Sequence, residues 1–187
     1  AFEVVREKGW QGLSARSIAD ALQSSTRPIY DQLKSMENIG QEVLRRAWNL
    51  FEEYMTTPVT GDKWVDQGVG HMRFAKMEKE LYKAIFDGNH HEIPSKLGRE
   101  VWDRLNEDLA DYPLFQTLSD EAVFEIRSAR WIFNHGLANI IVNSPDIKST
   151  RTYEDRIKQM ERISMAIYRG VTAGPPPDKS GFFHRET

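Results

Sequence analysis

Apolar residues recur at intervals of three and four along almost the whole chain, the spacing of one face of an α-helix. No run of alternating β-branched residues interrupts this pattern, and no Asn-Gly or Asp-Gly hairpin signal lies between apolar runs. The pattern predicts an all-α protein. Ala1, Val4, Val5 and Lys8 are already in helical register, with no capping residue before them. The chain is therefore expected to open inside a helix whose N-terminal residues precede it, and Gly9 is expected to end that helix at C′. Ser14 then caps a short helix with the face Ala15, Ile18, Ala19 and Leu22, and Gln23-Ser24 forms a brief turn. Ser25 caps a second short helix with the face Ile29, Tyr30 and Leu33. Pro28 fixes its start, because a residue without an N–H is tolerated only in the first turn. Ser35 caps a long helix with the stripe Ile39, Val43, Ala47, Leu50, Phe51 and Tyr54, and Glu37 complements its positive end.

Beyond the loop at 56–61, helical spacing runs from Trp64 to about Phe86, as one helix or two. Further helices are predicted from Pro94 to Ala110, from Ser119 to about Asn143 and from Thr152 to Arg169. The stripe of the helix from Ser119 reads Val123, Ile126, Arg130, Phe133, Leu137 and Ile141. From Gly174 the Pro-Pro-Pro-Asp-Lys-Ser-Gly run reads as a tail.

Composition narrows the classes of function. The chain has 187 residues, 40% hydrophobic and 28% charged, with a mean hydropathy of -0.58. These are the values of a globular chain. It has no cysteine, which removes disulfides, a thiol nucleophile and any thiolate zinc site, and which fits the cytoplasm as the expected location. No apolar run approaches the length of a spanning helix, about 18 residues or more. No membrane is therefore expected as a partner. The net charge of -3 argues against a general nucleic-acid coat. Residues 1–50 nevertheless carry +1 and the remainder -4, so a phosphate-binding face is expected in the first third.

Ser14 to Leu33 has the dimensions of a helix-turn-helix. The exposed side of its second helix presents Ser25, Thr26, Arg27, Asp31 and Gln32, groups able to read base edges or hold phosphates. The stretch Gly9-Trp10-Gln11-Gly12-Leu13-Ser14-Ala15-Arg16-Ser17-Ile18-Ala19 leads into this motif. Together with Ser25-Thr26-Arg27-Pro28-Ile29-Tyr30 and Leu33-Lys34-Ser35-Met36-Glu37, it resembles the DNA-binding region of TetR-type transcription regulators. The likeness covers about 40 residues, and the other ~140 resemble the family only in helical pattern. Arg27 and Leu33 depart from it, since family members often have Gly and Phe there.

The resemblance implies a three-helix DNA-binding domain over 1–35, lacking its N-terminal residues. It implies a helical effector-binding and dimerisation domain over 36–173, with 174–187 as a tail. Ser14 and Arg16 would lie near the phosphate backbone, and Ser25, Thr26, Arg27 and Pro28 at the groove. Tyr30 and Lys34 would hold phosphates. The alternative is that Arg27 and Lys34 are ordinary solvated charges and Tyr30 a core tyrosine. The implied partners are a palindromic double-stranded operator and a small, hydrophobic effector. A second copy would pair through the helices near 119–143 and 152–169, and the expected activity is repression.

For the effector, Trp48, Phe51, Met72, Trp102 and Trp131 are the candidate pocket residues, with His135 as a polar group; each has a core role as its alternative. His71 reads as a core or interface histidine with a hydrogen bond. The His90-His91-Glu92 run reads as an exposed loop, because adjacent side chains do not converge on one ion. Asp103, Glu107 and Asp108 read as a solvated face. No nucleophile motif, phosphate loop or dinucleotide fingerprint is present, so no cofactor, metal or catalysis is expected. A helical-bundle enzyme acting on an apolar molecule, or a protein-interaction module, is the competing reading.

Overall fold

The computed structural model describes residues 1–25, 35–86, 93–143 and 152–174, with the backbone alone at 93–95. Among these residues the regular structure is entirely helical. The helices are α1 (Phe2–Lys8), a 3₁₀ turn (Trp10–Gly12), α2 (Ala15–Ala21), α3 (Met36–Thr56), α4 (Lys63–Met77), α5 (Lys79–Phe86), α6 (Ile93–Asp108), α7 (Asp120–Asn143) and α8 (Tyr153–Thr172). Beyond Ser25, the expected second motif helix lies outside the described residues, as do His90-His91-Glu92 and the tail from residue 175.

The caps expected at Ser14 and Ser35 are present. Ser14 Oγ accepts from the Ser17 N–H at 3.0 Å, and Ser17 Oγ accepts from the Ser14 N–H at 3.0 Å. This reciprocal box satisfies two donors at the start of α2. Ser35 Oγ accepts from the Asn38 N–H at 3.1 Å and starts α3. Gly9 follows α1 with φ 74° and ψ 174°. Its φ is positive, as a C′ glycine requires, but its ψ is extended rather than left-handed helical. α2 ends in a Schellman arrangement, with Ser24 N–H donating to the Ala19 carbonyl and Gln23 N–H to that of Asp20. Gln23 has φ 50°. Leu22 departs from its expected place on the apolar face. It ends α2 and is 65% exposed, while Ile18 and Ala19 alone carry the helix into the core.

The apolar stretch from Trp64 to Phe86 is two helices, because Glu78 leaves helical geometry at φ -120°, ψ 47°. The buried Glu78 carboxylate receives both Arg6 Nε at 2.7 Å and Arg6 Nη2 at 2.5 Å, and the Tyr54 hydroxyl donates to it at 3.3 Å. This fork ties α1 to the α4–α5 break.

Two apolar clusters form the interior. The larger joins Phe2, Val5, Ile18 and Ala19 of the N-terminal helices to α3, α4, α5 and α7. At its centre Phe51 meets His71, Phe74 and Phe86 edge-on, with ring centroids 5.1, 5.2 and 5.5 Å away. Such edge-to-face contacts suit the opposite charges of a ring's rim and face. The smaller cluster gathers Trp64, Leu109, Phe115 and Ile126 at the other end of α4 and α7. Buried polar side chains on α4, α7 and α8 also form part of the interior: Asp66, Gln67, Arg130, Asn134 and Ser164.

Candidate functional site

Of the expected DNA-facing residues, Ser14, Arg16 and Ser25 are described. Ser14, Arg16 and Ser25 are all exposed. The Ser14 hydroxyl serves as the α2 cap. Thr26, Arg27, Pro28, Tyr30 and Lys34 lie outside the described residues.

The expected effector residues divide by position. Phe51 and Met72 are fully enclosed in the larger cluster. Trp48 is buried and borders an open cleft between α3 and α6, where Lys96, Glu100 and Arg104 face solvent. Arg104 is already paired in that region, reaching Glu52 through two bonds of 2.7 and 2.6 Å. His135 stacks on Tyr82, whose hydroxyl lies 2.9 Å from His135 Nδ1. Trp102 and Trp131 do meet, edge to face at 5.4 Å, and both line a small cavity between α4, α6 and α7.

His71 is enclosed as expected, but neither ring nitrogen has a hydrogen-bond partner. The rings of Phe51, Phe86 and Trp131 surround it. Burial, followed by the nearby His135 and Arg130, pushes its pKa down to about 3, so it is neutral at pH 7. Asp108 is only partly a solvated group. It receives Lys63 Nζ at 3.4 Å and Gln67 Nε2 at 3.4 Å.

The cavity beside Trp102 and Trp131 is also lined by polar groups absent from the expected site. Arg130 is 5% exposed. Its Nε donates to Ser164 Oγ at 3.1 Å, its Nη2 donates to the Trp64 carbonyl, and its guanidinium lies 4.8 Å from the Trp64 ring centroid. Burial pushes its pKa down to about 9, against a smaller opposing pull from Tyr112 and Asp62. Arg127 sits one turn earlier. Its Nη1 donates to Asn106 Oδ1 at 3.1 Å, its guanidinium stands 5.0 Å from the Phe115 ring, and burial lowers its pKa. Its Nε is buried without a partner, and so is Asn134 Oδ1, which is also on the cavity wall. A signal for Arg130 was legible. It occupies a core position, four residues after Ile126 on an apolar stripe, where a charge needs a reason.

A second cavity of ≈ 340 Å³ lies on the other side of Arg130, against Trp64, Met160 and Ser164. Asp62 and Glu161 also line it. Asp62 is the N-cap of α4, accepting from Val65 N–H at 3.0 Å, and the Tyr112 hydroxyl donates to it at 2.9 Å.

The outer face of α7 carries Phe124, Ile132 and Ile140, exposed by 63%, 70% and 38%. At eight-residue intervals each is turned by about 80° from the last, so the three are spread across the outer half of the helix. The inward side of the same helix carries Arg130 and Asn134. The polarity of α7 is thus partly inverted for a lone surface helix.

No helix among the described residues is long and apolar enough to cross a membrane. No protein-family model matches the chain, and no curated protein or solved structure matches it.

Proposed function

We propose that the chain is a ligand-responsive, sequence-specific DNA-binding transcription regulator that acts as a dimer, repressing by occupying a palindromic operator. The observation that carries this reading is the placement of α3. The capped helix α2 and its tight turn at Gln23 precede a segment carrying Thr26, Arg27, Tyr30 and Lys34, and Ser35 then starts α3 directly. α3 runs for 21 residues, roughly 30 Å, and its Met55 reaches the wall of the Trp102–Trp131 cavity. A rigid rod therefore joins the segment proposed to read DNA to the cavity proposed to take the effector. An effector that favours one tilt of α3 changes the separation of two such segments in a dimer. A 100-fold loss of DNA affinity needs about 2.7 kcal/mol of differential binding.

The apolar outer face of α7 supports the dimer, with α8 beside it. One short helix contacts only a few base pairs, so two half-sites about one helical turn apart are needed for useful affinity. Ile132→Glu is expected to leave the fold intact and convert a dimer to monomer in sedimentation analysis, with loss of operator binding. A dimer unchanged by this substitution would place the interface elsewhere.

The main test selects bound sequences from a random duplex pool and then measures affinity at several salt concentrations. A palindromic consensus is expected, with binding that falls steeply as salt rises. Arg27→Ala is expected to weaken binding and relax the preference at one base pair, a discrimination of about 1–3 kcal/mol. Lys34→Ala is expected to weaken all sequences alike and to reduce the salt slope by about 1. A pool that yields no consensus, with both variants binding as the parent does, would falsify the reading.

A further inference from the structure

We infer that the cavity between α4, α6 and α7 is an oxyanion site, taking the carboxylate of an aromatic acid on Arg127 and Arg130 with its ring against Trp102 and Trp131. This rests on the reading of the second domain as effector-binding, and it names the chemistry of that effector.

Charge favours an anion here. Two guanidinium groups line this cavity with the amides of Gln67, Asn106 and Asn134, and no carboxylate is among the lining residues. Neither arginine makes an ion pair with an acid among the described residues. A buried cation without a counter-charge is costly, and it is usually neutralised by a paired acid. Here the acids near Arg130 are otherwise engaged or lie on its far side. Asp62 holds Val65 N–H at 3.0 Å and the Tyr112 hydroxyl at 2.9 Å. Asp66 holds the Thr60 N–H and hydroxyl, each at 2.7 Å. The missing negative charge is what a bound anion supplies.

Hydrogen bonding in the cavity is also unmet. Arg127 Nε is buried with no acceptor. Asn134, 4% exposed, has a buried Oδ1 with no donor, and a half-turn of its amide presents N–H donors to the same space. A planar carboxylate matches the guanidinium fork and can accept from several donors at once.

Size and shape limit what fits. The cavity measures ≈ 30 Å³, room for a compact oxyanion but not for a whole organic molecule. Its solvent side is formed by the half-buried Trp102, Asn106 and Arg127. The body of the ligand therefore lies outward, over Trp102 and Trp131, whose edge-to-face pair offers an aromatic surface. The larger cavity across Arg130 does not suit an anion, because Asp62 and Glu161 line it.

The experiment is calorimetric titration of the full chain, without DNA, using benzoate, 2-naphthoate and their two uncharged amides. Each acid is expected to bind at least 10-fold more tightly than its amide. Arg127→Gln, on the half-buried rim, is expected to lose at least 10-fold in affinity for the acids while leaving the amides unaffected. Equal affinity of acid and amide overturns the proposal, as does the absence of heat with all four probes at millimolar concentration. The acid–amide comparison on the unmodified chain decides the matter even if Arg127→Gln does not fold. Acid binding without an operator overturns only the regulatory reading, whereas an operator without acid preference overturns only the oxyanion site.

Discussion

Gly70→Ala is expected to destabilise the protein by at least about 3 kcal/mol, lowering Tm by roughly 10 °C or preventing recovery of soluble protein. Gly70 is in the middle of α4, where this helix packs closely on α3. A Cβ there would run into the Tyr54 carbonyl oxygen and would come within 2.6 Å of Met55 Cα. Both are backbone atoms in the last turns of a helix, so no rotamer change relieves the contact, and the helices must separate. That separation would open the aromatic packing around Phe51, which depends on the same helix pair. The control is Gly170→Ala on α8, where a Cβ meets nothing within 4 Å. It is expected to be neutral or to stabilise by up to about 1 kcal/mol, since alanine is the better helix former. Thermal unfolding of the two variants checks both. Equal Tm values for them would show that α3 and α4 do not pack as closely as described.

The second large effect is an acid limb in the stability curve, set by His71. Its folded-state pKa of about 3 lies below the unfolded value of 6.5, so the unfolded chain takes up the proton first. The contribution of neutral His71 is therefore complete above about pH 6.5 and is lost as pH falls toward 3. The slope is up to about 1.4 kcal/mol per pH unit, or up to about 2.7 kcal/mol between about pH 6.5 and 4.5. Asp66 acts with the same sign but lower on the scale. Burial raises its pKa, yet the Thr60 hydroxyl and neighbouring backbone N–H groups outweigh this and hold it below 3.8. The upper part of the acid limb thus separates His71 from Asp66. Urea unfolding at several pH values is expected to show this slope in the parent, and a flatter one in His71→Phe. Phenylalanine suits a site walled by Phe51, Phe86 and Trp131 in which neither imidazole nitrogen is bonded. An unchanged acid limb in His71→Phe would mean that other groups carry it.

Several elements were legible in the order of residues. The period of apolar residues placed α3, α6, α7 and α8 to within a few residues, because each long helix buries one face and must repeat its contacts every turn. Ser14 and Ser35 marked the starts of α2 and α3, because a free N–H at a helix end needs a nearby oxygen and a short side chain supplies it. Glu78 gave no comparable warning of the break between α4 and α5. A glutamate is at home in a helix, and only the Arg6 fork from a distant helix gives it a reason to leave one. Leu22 misled in the opposite way, since apolar character shows that a residue tolerates burial, not that a neighbour covers it.

The candidate site divides along the same line. Trp102 and Trp131 were recognisable as large rings in the helical segment after residue 35, and the structure brings them together on one cavity wall. Phe51 and Met72 had the same signature and prove to be enclosed core, because helical spacing does not distinguish a packed interior from the lining of a cavity. Arg127, Asn106 and Gln67 carried no signal, being ordinary polar residues on three separate helices.

By itself, then, the order of residues determined that the chain is helical and where most of the described helices start and stop. These are local matters, settled by periodicity, capping and the breaking of helices at glycine and proline. Only the tertiary structure decided that two arginines one turn apart make no ion pair among the described residues, that Gly70 is a point of backbone contact, and that Phe124, Ile132 and Ile140 of α7 are left exposed. Each of these depends on which surfaces from distant parts of the chain meet, and on which are left unmatched when they do.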